Sequence, residues 1–270
     1  MSLLELKNIT HRFEGLCAVA NFNFQLAQGE LVGIIGPNGA GKTTVFNLIT
    51  GVYRATEGSI SFNGGELVGK TPHQITKMGI ARTFQNIRLF KELTVLDNVR
   101  TAYFGEAVYS PLEALLHLGR YRREETKITE RALDLLSIFQ LDSAAAELAK
   151  NLPYGLQRKL EIARALATNP QLLLLDEPAA GMNPNEIKQL MEFIGWIRKT
   201  FRVTIILIEH QMRLVMGICE RLVVLDFGAT IAQGLPAEIK SNPKVSKPIN
   251  YCVDSILNLS FLVRILYSKN

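Results

Sequence analysis

Apolar and polar residues alternate from Leu3 to Ile9 and again from Phe22 to Leu26, the period-two pattern of half-buried strands. Leu31 to Ile35 is apolar throughout apart from Gly33, which predicts a strand covered on both faces, and Val45 to Thr50 follows as a helix. Gly58 to Phe62 and Gly79 to Phe84 read as further short strands. Between them a short helix starts at Thr71-Pro72 and runs through Met78, because proline suits a first helical position. From about Thr94 to Lys150 the strand runs stop and helix formers dominate, with apolar spacing at Leu133, Leu136 and Ile138 through Leu141. Within it, Glu106 to Glu125 is poorly periodic and reads as a surface loop or short helix, with Arg120 to Arg123 a solvated charge cluster.

The alternation then resumes. Leu156 to Ala167 is helical, and Leu172 to Leu175 is a buried strand that ends in Asp176-Glu177. Pro184 to Lys199 is an amphipathic helix, and Val203 to Ile208 is an apolar strand ending in Glu209-His210. Arg221 to Leu225 and Thr230 to Gln233 complete the sheet. This order predicts an α/β fold with a largely parallel core sheet and flanking helices. It places an antiparallel β part at the N-terminus and a helical subdomain inserted at about residues 87–168. Residues 1–240 form the domain, and 241–270 are an atypical tail.

Composition adds little to this frame. A chain of 270 residues that is 47% hydrophobic can bury a full core. The formal charge of +5 is uneven: residues 241–270 carry +3, leaving +2 for the rest. No basic stripe with interleaved aromatics appears, which argues against nucleic acid as a partner. Cys17, Cys219 and Cys252 show no metal-ligand spacing and read as thiols in a reducing compartment. The N-terminus lacks the shape of a secretory signal, and no apolar run reaches the length that spans a bilayer.

The chemistry begins at Gly36-Pro37-Asn38-Gly39-Ala40-Gly41-Lys42-Thr43-Thr44, which matches the phosphate-loop pattern between a buried strand and a helix. Its glycines let the backbone turn successive N–H groups inward onto phosphate oxygens, and the start of the helix adds partial positive charge. Lys42 then reaches the β- and γ-phosphates, and the Thr43 hydroxyl reaches a magnesium ion. Asp176, at the carboxyl end of an apolar strand, supplies the second half of such a metal site. Glu177 follows on the alternate side of the ending strand, placed for an attacking water.

With these residues in that order, the chain resembles the ATP-binding subunit of an ABC transporter, and most of all the ATPase subunits of branched-chain amino-acid importers. The resemblance is carried by Ile35–Thr44, Arg82–Phe90, Tyr154–Ala167, Leu172–Pro184 and Ile208-Glu209-His210. It implies ATP and Mg2+ as cofactors, with Thr43, Gln85 and Asp176 toward the metal. Phe13 takes the adenine-stacking position, Gln85 reaches the metal and the attacking water, and His210 reaches the γ-phosphate. It also implies a second ATPase subunit, polytopic permease subunits and, indirectly, a periplasmic or extracellular substrate-binding protein. The location it implies is peripheral, on the cytoplasmic face of the membrane.

Three departures from the family pattern stand out. The family's Leu-Ser-Gly-Gly-Gln segment, which meets the ATP of the other subunit, is here Leu152-Pro153-Tyr154-Gly155-Leu156. Pro153 offers neither a hydroxyl nor a backbone N–H, although proline can open a helix. Losing one charge-assisted bond costs about 1.5–3 kcal/mol, so the site works with fewer direct bonds through the Gly155 N–H and the helix dipole. Asn183 stands where many members have Asp and keeps the helix-capping ability without the charge. The tail holds an apolar run from Ile256 to Tyr267, which packs on the domain, lies on a membrane surface, is disordered, or is read out of the ancestral frame.

Other function classes fit less well. A urea or amide importer, or a lipid or lipopolysaccharide exporter, shares the fold, but the Arg82–Phe90 stretch argues against an exporter. Soluble ABC ATPases of translation or repair carry two cassettes or a long coiled coil, and no sustained heptads occur here. A plain phosphate-loop kinase needs no Gln85, Pro153–Leu156 and His210 in that order.

Overall fold

The computed structural model describes residues 2–106, 111–115 and 119–245. The tail's apolar run and Cys252 lie outside the described residues. In chain order the elements begin with β1 (Ser2–Phe13), β2 (Leu16–Ala27), β3 (Leu31–Ile35) and α1 (Lys42–Ile49). Then come β4 (Glu57–Phe62), β5 (Gly65–Glu66), α2 (Pro72–Lys77), β6 (Ile80–Arg82), α3 (Val95–Tyr103), α4 (Pro111–Leu115) and α5 (Gly119–Ile138). The series closes with α6 (Tyr154–Leu166), β7 (Leu172–Asp176), α7 (Pro184–Phe201), β8 (Thr204–Ile208), α8 (Met212–Ile218), β9 (Arg221–Asp226), β10 (Ala229–Gly234) and α9 (Pro236–Ser241). The chain divides into two compact units. One runs to Ile75 and resumes at Leu174, and the other is Thr76–Leu173.

The first unit has two kinds of sheet. β1 pairs antiparallel with β2 and β4, and β4 with β5, in the order β2-β1-β4-β5. In the other sheet β3 lies between β8 and β9 and is parallel to both. Leu31 registers with Ile205 and Ile35 with Val224, and β10 folds back antiparallel on β9. Every residue of β3, β7 and β8 is buried, as their unbroken apolar runs require of strands covered on both faces. The mixture of antiparallel and parallel sheets with helices is the α/β class that the alternation predicts.

β1 is longer than the alternation suggests because bulges between Leu6 and Ile9 and between Ile9 and His11 break the period of two. α7 starts as its sequence asks. Asn183 Oδ1 accepts from the N–H groups of Asn185 (3.0 Å) and Glu186 (3.1 Å), and the Asn183 N–H donates back to Glu186 at 2.8 Å. This capping box, with Pro184 in the first turn, does what the Asn183 substitution was expected to preserve. Cys219 is buried, and burial pushes its thiol up to about 12, an inert structural sulfur.

In the second unit, two features depart from the sequence reading. Gly119–Glu125, expected as part of a surface loop or short helix, belongs to the 20-residue helix α5. Its early turns are held by charge, with Glu125 bonded to Arg100 at 2.5 Å, rather than by an apolar face. The buried stripe of α5 is Ile128, Ala132, Leu135 and Leu136, so Leu133 and Ile138 point outward. The strand expected over Gly79–Phe84 is only β6, since Phe84 turns away to donate to Glu161. Asn98, fully buried on α3, bonds both the N–H and the carbonyl of Phe90 and so fixes the end of the Arg82–Phe90 stretch.

Candidate active site

The phosphate loop leaves β3 at Gly36 and enters α1 at Lys42, with Gly39 at φ 81° and Gly41 at φ 98°. A side chain at Gly36 would stand 2.1 Å from the Leu225 carbonyl oxygen, so β9 passes too close for any other residue. Gly41 is the N-cap of α1 and offers no side-chain bond, which leaves the first N–H groups of the helix for an anion. Lys42 is 5% exposed, and its Nζ donates to the carbonyls of Gly36 (2.8 Å) and Pro37 (2.9 Å). These bonds arch the loop over the ammonium and set the charge inside it. Thr43 is exposed at the helix start, with its hydroxyl open to a ligand.

The loop has a support that its motif does not reveal. The tip of the β9–β10 hairpin, Phe227-Gly228, sits against it, with the Gly228 N–H donating to the Ala40 carbonyl at 3.0 Å. The Gly228 carbonyl in turn accepts from Ala20 at 2.9 Å. Gly228 has φ 79°, and a Cβ there would stand 2.7 Å from the Ala18 carbonyl oxygen. Gly64, with φ 76° and nothing near its missing Cβ, is a matched control. Both alanine variants carry the left-handed cost of roughly 1–2 kcal/mol. Only Gly228→Ala also collides with a neighbour, the Ala18 carbonyl of β2, and so displaces the N–H that holds Ala40; its ADP affinity is expected to fall about tenfold, ~1.4 kcal/mol. Titration with a fluorescent ADP analogue checks this, and equal affinities for the two variants would remove the hairpin from the site.

Phe13 ends β1 and is 39% exposed, available for a flat ligand to pack on. It does not stand alone. The His11 ring lies edge-on to it at 4.5 Å and stacks on Tyr53 at 5.3 Å, and Tyr53 meets Phe13 edge-on at 5.1 Å. Sequence reading passed over His11 and Tyr53; the i, i+2 spacing of His11 and Phe13 on one strand face was the available signal.

Asp176 closes β7 and is 3% exposed. Glu177 does not continue the strand alternation. It adopts φ 44°, a left-handed conformation uncommon outside glycine, and its N–H donates to the Ile208 carbonyl at 2.9 Å. The left-handed turn, rather than strand pleat, therefore directs its carboxylate. Glu177 Oε2 lies 3.7 Å from His210 Nδ1, an ion-pair separation. The Glu177 carboxylate holds the His210 pKa above its ordinary value, with the Glu209 charge adding to it and burial and the Lys42 charge opposing.

Glu209, fully buried, is a third residue that sequence reading left as a strand terminus. Its carboxylate accepts from Ala179 (2.8 Å), His210 (3.0 Å) and Gln211 (3.1 Å), and so ties the turn after Glu177 to the segment carrying His210. Burial raises its pKa against those bonds. Lys42, Glu177 and His210 are thus brought together within the first unit. Thr43 and Asp176 offer hard oxygen donors, which suit a magnesium ion that also holds phosphate oxygens.

Gln85 and Leu152–Leu156 belong to the second unit. Gln85 is exposed on the bend after β6. Pro153 is the N-cap of α6, at φ −54° and ψ 149°, with no side-chain cap bond, and its carbonyl accepts from Leu156 (2.9 Å) and Gln157 (3.0 Å). Proline's preset φ thus offsets the absent serine cap, worth about 1 kcal/mol. Leu152 is buried and Leu156 half-buried, while Pro153, Tyr154 and Gly155 are exposed, and Gly155 has open space where a side chain would be.

A glycine loop cradling a buried lysine, with a carboxylate pair and a histidine grouped in the same unit, defines a nucleoside-triphosphatase of the phosphate-loop kind. Residues 19–180 match the ABC transporter family. The chain is 46% identical over 243 residues to LivG of Salmonella typhimurium, a high-affinity branched-chain amino acid transport ATP-binding protein, covering 90% of this chain and 95% of that one. Among solved structures, the ADP conformation of an ATP-binding cassette of an ABC transporter aligns with a TM-score of 0.80 at 32% identity, covering 93% of this chain and 99% of its own. A dimeric cassette in a post-hydrolysis state with ADP and Pi aligns with a TM-score of 0.71 at 26% identity, covering 86% and 98%. The chain therefore belongs to the ABC transporter family, as one of its ATP-binding cassettes.

Proposed function

We propose that this chain is the ATP-hydrolysing subunit of an importer for branched-chain amino acids. The observation that carries the reading is the grouping of Lys42, Glu177 and His210 within one unit of a chain 46% identical to LivG. ATP binds with its phosphates in Gly36–Thr44 and its base on Phe13. Thr43 and Asp176 would hold a magnesium ion, which would neutralise phosphate charge. Glu177 orients and deprotonates the attacking water, and His210, whose hold on a proton Glu177 strengthens, donates to the γ-phosphate. Gln85 reports the nucleotide state. The exposed Pro153–Gly155 segment faces the nucleotide of a second cassette, so that each ATP is shared between two subunits.

The membrane subunits attach to the second unit. It carries an open groove of about 690 Å³ lined by Arg82, Phe84, Arg88, Phe90, Glu161 and Arg164, with Arg88 stacked 4.0 Å over Phe84. A basic and aromatic groove of this kind supports docking of a short segment of a permease. Among the described residues no helix is long and apolar enough to cross a membrane.

The reading is tested by reconstituting the complex with its membrane subunits and cognate binding protein. ATP turnover is then measured with Leu, Ile, Val or urea. Stimulation by the three amino acids and not by urea is expected; stimulation by none of the amino acids would overturn the substrate assignment.

A further inference from the structure

Arg158, on the second turn of α6, is the largest fully buried side chain among the described residues, at 1% exposure, and no motif assigns it a role. Its guanidinium is divided between two segments of the second unit. Nη1 donates to the Phe84 carbonyl (2.8 Å) and to Glu161 (2.7 Å); Nη2 donates to the Gln85 carbonyl (2.9 Å) and to the Tyr154 hydroxyl (3.2 Å). Glu161, 2% exposed, spends its other oxygen on the N–H groups of Phe84 (3.4 Å) and Arg88 (3.1 Å). Tyr154, Arg158 and Glu161 recur at i, i+4 and i+7, so they stand on one face of α6.

A buried ion pair is weak evidence for stability, because its desolvation rivals its attraction, and an apolar pair of like volume often serves as well. Here the acceptors are main-chain carbonyls at and beside Gln85, together with a hydroxyl in the Leu152–Leu156 segment. A planar fork reaches these acceptors with two separate nitrogens, Nη1 and Nη2, where an ammonium has a single nitrogen to share among them.

We propose that the Arg158–Glu161 pair is a positioning device that locks Gln85 and the start of α6 into one register, so that the element sensing nucleotide and the segment presented to the second cassette move together. The inference rests on the roles assigned above to Gln85 and to Pro153–Gly155. Arg158 is buried, at 1% exposure, and is a positioning residue. It acts through the backbone on which Gln85 is mounted and through the helix start that carries Tyr154.

The test uses the assembled transporter with MgATP and two variants. Arg158→Lys keeps a cation beside Glu161 but loses the fork. Arg158→Met combined with Glu161→Gln removes both charges, so no buried charge is left unpaired. Turnover is expressed per cassette that binds a fluorescent ADP analogue, which removes any misfolded fraction from the count. For both variants kcat is expected to fall at least tenfold, with KM for ATP and ADP affinity within about twofold of the parent. Parental kcat per binding-competent cassette in both variants would overturn the proposal, as would a loss confined to KM. Glu177→Gln, run in parallel, separates the two levels of argument. If it is inactive while the Arg158 variants are normal, only the positioning role falls. If it hydrolyses normally, the assignment of the site itself falls.

Discussion

Glu177→Gln is expected to lower ATP turnover by about 10²–10⁴-fold, the usual worth of a general base, while leaving ATP binding intact. The substitution suits the local backbone. Residue 177 sits at φ 44° whether it carries Glu or Gln, and its N–H bond to Ile208 does not involve the side chain. Folding is therefore preserved and the loss reads chemistry. ATP that cannot be cleaved keeps two cassettes closed, so a stable ATP-dependent dimer should appear by size-exclusion chromatography in the variant and not in the parent. A second readout is the imidazole of His210. The Glu177 carboxylate is the largest influence raising its pKa, so its titration by NMR should move down, toward the ordinary 6.5. Turnover within a few-fold of the parent would sink the role given to Glu177.

Lys42→Ala is expected to weaken ATP and ADP binding on the order of 10²-fold, or ~3 kcal/mol, about the worth of one or two bonds to a charged group. The effect has two parts. The ammonium that meets the phosphates is lost, and the carbonyls of Gly36 and Pro37 lose the donor that arches the loop around it. Calorimetric titration with ADP measures the change, and the thermal transition of the nucleotide-free protein shows whether the fold survives. Affinity within about threefold of the parent would mean that the backbone N–H groups of the loop bind phosphate without the lysine.

The sequence was most informative where chemistry and chain order coincide. The phosphate loop, Asp176-Glu177 and His210 are short, and each ends an apolar strand, so pattern and motif pointed to the same places. The residues that escaped notice are those whose role depends on contacts distant in the chain. Glu209 reads as a polar strand terminus until Ala179, 30 residues earlier, is found bonded to it. Arg158 and Glu161 have the i, i+3 spacing of an ordinary surface pair, and only their burial against Phe84 and Gln85 separates them from one. Gly228 belongs to no motif, because its partners Ala18 and Ala40 are distant in the chain. Local errors had local causes: bulges disrupted the alternation of β1, and charge rather than apolar periodicity held the early turns of α5.

The hairpin tip behind the phosphate loop has a consequence for protein engineering. Nine residues from Gly36 to Thr44 would not carry their function into a foreign scaffold as a graft. Their shape is bounded from outside by the Leu225 carbonyl against Gly36 and by the Gly228 N–H beneath Ala40. A recipient would need a strand passing equally close and a glycine turn at the same height. Without them the transplanted loop keeps its sequence and loses the curvature that makes it a receptor for phosphate.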